Sequence, residues 1–114
     1  MNTFELRLNP IPFKQIQQGT KTVEMRLYDE KRRLIKVGDI LIFKNRQNEE
    51  LLIKTQVVAL HRFNSFEDLY KNINKLKLGY KENQIALSSD MEEYYSKEEQ
   101  SRYGVLGIEI KVLN

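Results

Sequence analysis

Apolar and polar residues alternate over 3–8, with Phe4, Leu6 and Leu8 on one face, which predicts a first strand. Residues 9–19 break that rhythm. Pro10 and Pro12 suit a first helical turn, Phe13 and Ile16 stand three apart, and Gly19 can close a short helix over about 10–18. Alternation resumes at 21–28, with Val23, Met25 and Leu27 on a face expected to meet the core. Thr22, Glu24, Arg26 and Tyr28 then point away from it. A charged stretch, 29–39, ends in a "VGD" turn where Gly38 is expected at positive φ. Two strands follow, 40–45 and 51–63, joined by the polar hairpin "RQNEE"; the second is long enough to require a bend or bulge.

The period then changes to that of a helix. Ser65 is a natural N-cap ahead of Asp68, and Phe66, Leu69, Tyr70 and Ile73 recur at helical spacing. Over 89–104 two capping boxes can be read, Ser89 with Glu92 and Ser96 with Glu99, predicting one or two short helices that stop near Gly104. A closing strand over 105–113 must return to pair with early ones. The order predicts an α+β fold: mostly antiparallel strands curled into a small β-barrel, with short helices inserted after the first strand and before the last.

Composition narrows the chemistry. A chain of 114 residues with 40% hydrophobic content suits one domain over 1–114. With no cysteine and one histidine, His61, neither a disulfide framework nor a thiolate or multi-histidine metal site is available, and no cofactor is expected. His61 falls on a strand, where a structural role is the commoner one. No apolar run reaches bilayer length and no signal peptide is visible, so a cytoplasmic location and no membrane partner are expected. Charge is uneven: residues 1–81 carry sixteen Lys/Arg against nine Asp/Glu, a balance of +7, whereas residues 82–103 carry two against six, a balance of −4. A basic body can attract a polyanion to one face.

The candidate chemistry lies in "GTKTVEMRLYDEKRR", 19–33. Strand parity puts Glu24 and Arg26 on one face, and Lys21 at the strand's start can swing over its end, so that three charged heads edge one cleft. Arg26 offers a planar fork for phosphate or a base edge, Lys21 a mobile cation, and Glu24 an acceptor for an exocyclic amine. Tyr28 on the same face can stack on a base, and Lys31, Arg32 and Arg33 can contact phosphates. A surface ion pair beside solvated cations is the plain alternative.

Gly19, Lys21, Glu24 and Arg26 match, in register, the G-x-K-x-x-E-x-R signature of the ASCH (activating signal cointegrator homology) family, which the chain resembles. "PFKQIQQG", "VGDILIF", "FNSFEDLY" and "YGVLGIEI" extend the resemblance over nearly the whole chain. It implies a PUA-like barrel whose cleft carries the signature, and RNA-binding or RNA-related roles. Some bacterial members are similar to amidohydrolases acting on N4-acetylated cytidine, and ribonuclease activity is also attributed to the family. In the amidohydrolases the signature lysine works with a threonine three residues later; here that position is Glu24. The expected function is therefore binding of RNA or a nucleotide-like ligand at Lys21, Glu24 and Arg26. A metal-independent amidohydrolase with Lys21 and Glu24 in catalytic roles is the alternative, and a protein-interaction module using the helical segment is a third.

Overall fold

A computed structural model describes residues 1–113. Strand β1 (Thr3–Leu8) leads into helix α1 (Pro10–Gln18), which begins on its prolines and ends at Gly19 in the left-handed conformation, φ +81°. There the Gly19 N–H closes the helix on the Gln15 and Ile16 carbonyls. Strand β2 (Val23–Leu27) follows, then a 3₁₀ turn (Arg32–Leu34), β3 (Ile40–Asn45) and β4 (Asn48–Phe63). Gly38 has φ +95° in the turn before β3. The connection between β3 and β4 is shorter than the five residues expected, because β4 begins at Asn48.

Helix α2 (Phe66–Asn72) starts on Ser65, whose hydroxyl accepts from the Asp68 N–H. Two 3₁₀ turns (Lys75–Leu78 and Ser88–Glu93) precede helix α3 (Lys97–Tyr103) and strand β5 (Val105–Val112). The Ser96–Glu99 capping box forms, but the Ser89–Glu92 box does not. Ser89 sits inside its 3₁₀ turn, where its hydroxyl cannot serve as the N-cap. Among the described residues no helix is long and apolar enough to cross a membrane.

The five strands form one curled sheet in the order β1-β3-β4-β5-β2, antiparallel throughout except for the parallel pair β1·β3. The closing strand thus lies between β4 and β2, and β1 and β2 are left as the two edges. The bend expected in β4 is a bulge between Val57 and Ala59. It reverses strand parity, so that Val57 before it and Leu60 after it pack into the same core.

The sheet buries its inner face along all five strands and its other face at β2 and β5, whereas Glu5, Arg7 and Lys54 on the outer side of β1 and β4 are exposed. The inner face carries Leu8, Leu41, Phe43, Val57, Leu106 and Ile108, with Phe13 and Ile16 of α1 packed against them. The other face of β2 and β5 presents Val23, Met25, Leu27 and Val105 to Phe66 and Leu69 of α2 and to Leu78 and Met91 of the 3₁₀ turns. Helix and sheet approach closely at Gly107, where a Cβ would stand 3.2 Å from Ile73 Cδ1 and 3.3 Å from Val23 Cγ1. Every residue of β2 is consequently buried. That corrects the expectation from periodicity. Val23, Met25 and Leu27 do meet a core, but Glu24 and Arg26 point to the inner face beside Ile108 and Leu106 rather than away from the protein.

Candidate functional site

Lys21, Glu24 and Arg26 are 6%, 5% and 8% exposed, so the ordinary surface ion pair is excluded. Their heads meet. Arg26 donates to Glu24 Oε2 through Nε at 3.0 Å and Nη2 at 2.8 Å, while the Met25 N–H donates to Oε1 at 3.1 Å. Lys21 Nζ lies 3.5 Å from Oε1 and donates to the Leu78 carbonyl at 3.2 Å. Burial opposes the charge on Glu24, yet Arg26 and Lys21, with these hydrogen bonds, outweigh it and hold the carboxyl below its ordinary value. Arg26 is shifted the other way: burial opposes its charge, but Glu24 stabilises it and raises its pKa.

Arg26 also joins the two edges of the sheet. Its Nη2 donates to the carbonyl of Arg7 on β1 at 2.8 Å, across the gap that the strands themselves leave open. The charged heads therefore fasten a seam between edge strands, where a fully apolar side chain would leave the Arg7 carbonyl without this donor.

A cavity of about 350 Å³ opens over that seam. Lys21, Glu24 and Arg26 contribute to its floor, Arg7 and Arg46 bring cations, and Met91, Tyr94 and Tyr95 reach it from the segment before α3. Tyr95 stacks on Phe66 with ring centres 5.8 Å apart and lies beside Arg26; Tyr94 is 56% exposed at the rim. Desolvation dominates at Tyr95 and raises its pKa.

A second groove of about 450 Å³ shares Arg7, Arg26 and Arg46 with this cleft and adds Lys31 and Arg32. Arg32 Nη1 pairs with Asp29 at 2.8 Å, whereas its Nε is buried without an acceptor. Lys31 and Arg32 thus stand next to the trio through Arg26. Tyr28 and Arg33 do not join it. The Tyr28 ring is covered by guanidinium groups, Arg62 Cζ at 4.0 Å and Arg33 Cζ at 4.7 Å from its centre. His61 bonds Glu109 across the strand pair at 3.0 Å, a structural arrangement away from the cleft. Among the described residues no three His, Cys, Asp or Glu side chains are grouped to hold a metal.

Arg7, Arg46, Met91, Tyr94 and Tyr95 are the cleft residues that the signature does not contain. Arg7 shows in the sequence only as the polar member of an alternating strand, and Arg46 as part of a hairpin. Their convergence follows from the pairing of β1 with β3, which no local pattern encodes.

The family model for the ASCH domain matches residues 4–114. Among solved structures, hypothetical protein PH0355 is 28% identical with a TM-score of 0.81, over 99% of this chain and all of that one. Protein PF0455 from Pyrococcus furiosus is also 28% identical, with a TM-score of 0.72 over 100% of this chain and 99% of that one. An ASCH domain from Lactobacillus crispatus shares the fold at 12% identity, with a TM-score of 0.67 over 97% of this chain and 79% of that one. No curated protein sequence matches the chain. With the signature residues gathered in a cleft on a PUA-like curled sheet and the family match running nearly end to end, this chain belongs to the ASCH domain family.

Proposed function

We propose that the cleft binds single-stranded RNA or a nucleotide, and that residues 1–114 act as one such domain in the cytoplasm. Phosphate contacts fall to Arg46 and to Arg7, for which a phosphate competes with the exposed Glu49 carboxylate that pairs with it at 3.1 Å; Tyr94 and Tyr95 supply aromatic surface for a base. Lys31 and Arg32 extend the cationic track into the adjoining groove. The cleft carries the proposal: its roughly 350 Å³ lies in the range of small-molecule sites, and Glu24 is its one acidic wall residue.

Glu24 takes a different part from the one its residue type suggests. Both its oxygens already accept protein donors, so it fixes Lys21 and Arg26 instead of reading an exocyclic amine. The same bonds weaken it as a general base, because a carboxylate held ionised by two cations has little affinity for a proton. Binding is thus better supported than amide hydrolysis.

An amide-shift titration with cytidine monophosphate and a short single-stranded RNA tests the proposal. Shifts gathered at residues 21–26, 46 and 91–95, weakened in Arg46→Ala, are expected. Saturating ligand with no shift at these positions would overturn it.

A further inference from the structure

We propose a second nucleic-acid contact beside the cleft, a pocket around Tyr28 that takes a phosphodiester group of the same single strand. The pocket measures about 600 Å³ and is lined by Tyr28, Arg62, Asn64, Ser101, Arg102 and Tyr103 among others, with no acidic side chain. Arg62 and Arg33 lie over the Tyr28 ring at 4.0 and 4.7 Å, and Arg102 lies over Tyr103 at 5.5 Å. None of these three arginines has a carboxylate partner among the described residues, although Asp29 nearby is paired with Arg32 and Glu98 stands one helical turn before Arg102. Guanidinium groups held on aromatic rings keep their outer edges for a ligand, and a phosphate supplies the counter-charge that the protein does not. Asn64 and Ser101 add neutral donors.

The fold places this pocket deliberately close to the cleft. The β4 bulge turns Arg62 onto the inner face, where it pairs with Leu106 of β5, and Leu106 in turn pairs with Arg26 of β2. At the backbone Arg62 and Arg26 are therefore two strand spacings apart, about 10 Å, with the buried Leu106 between them, so a strand joining the two sites runs over the surface by a longer path. That span takes more than one nucleotide. A mononucleotide in the cleft does not reach the pocket, whereas an oligonucleotide crosses both.

This inference rests on the cleft's being a nucleic-acid site, and the test separates the two. The full chain and its R62Q/R102Q variant are titrated by fluorescence anisotropy with a labelled 12-nucleotide single-stranded RNA at several salt concentrations, and by NMR with cytidine monophosphate and inorganic phosphate. The expected result is unchanged cytidine monophosphate binding at the cleft, a loss of about tenfold in RNA affinity, and a salt slope shallower by about 1.4. Phosphate and RNA should both shift amides at 28, 62–64 and 101–104. Equal RNA affinity and slope in the folded variant would overturn the second contact while leaving the cleft intact. Phosphate shifts in the pocket without any RNA effect would also overturn it, reducing the pocket to a free-anion site. Failure of the cleft itself would show instead as absent cytidine monophosphate shifts at 21–26.

Discussion

Glu24 bears an unusual load for one carboxylate: two cations, a backbone N–H and, through Arg26, the join between β1 and β2 all depend on it. Replacing it with Gln leaves Lys21 and Arg26 buried without a counter-charge. The expected loss is about 3–5 kcal/mol, measured by urea unfolding. Arg26→Lys is no conservative change, since an ammonium cannot hold Glu24 in two bonds and reach the Arg7 carbonyl as well. The pH dependence has a definite sign. The folded carboxyl lies below its ordinary value of 4.5, so its contribution to stability is full above that pH and is lost as pH falls through the folded value. Asp39, held low by the backbone N–H groups of Asn2 and Lys36, adds a parallel contribution. On acidification the wild type should therefore lose more stability than Glu24→Gln, with Asp39 common to both. Parallel pH curves for the two proteins would contradict the role given to Glu24.

At the scale of elements, two identical local patterns had different outcomes. Ser96 and Glu99 cap α3 reciprocally; Ser89 and Glu92 carry the same spacing yet cap nothing. Ser96→Ala should cost about 1 kcal/mol and Ser89→Ala close to nothing in the same unfolding assay. The elements themselves were legible wherever periodicity and punctuation agreed, as in α1 between its prolines and Gly19, or α2 from Ser65. The interior orientation of Glu24 and Arg26 was not. Period two assigns residues to two faces but does not say that a helical layer will cover one and a curled sheet enclose the other. The trio itself could be picked out from charge, parity and the family signature, whereas its rim could not. Arg7 and Arg46 come to the cleft through the parallel β1·β3 pairing, a long-range contact invisible to any window of sequence.

For the molecule as a whole, the uneven charge acquires a geometry. Cations from β1, β2, the β3–β4 connection and the 3₁₀ turn at 32–34 share one pair of grooves, while the acidic 82–103 segment contributes Met91, Tyr94 and Tyr95 to the cleft rather than a carboxylate. Basic floor and aromatic rim suit a single-stranded polyanion better than an acidic or apolar partner. The most direct measurement is the affinity of the wild type and the Arg7→Ala/Arg46→Ala double variant for a short single-stranded RNA between roughly 50 and 200 mM salt. Binding through the cleft predicts weaker affinity in the variant and a salt slope shallower by about 1.4. Superimposable curves for two folded proteins would contradict the cleft as the binding site.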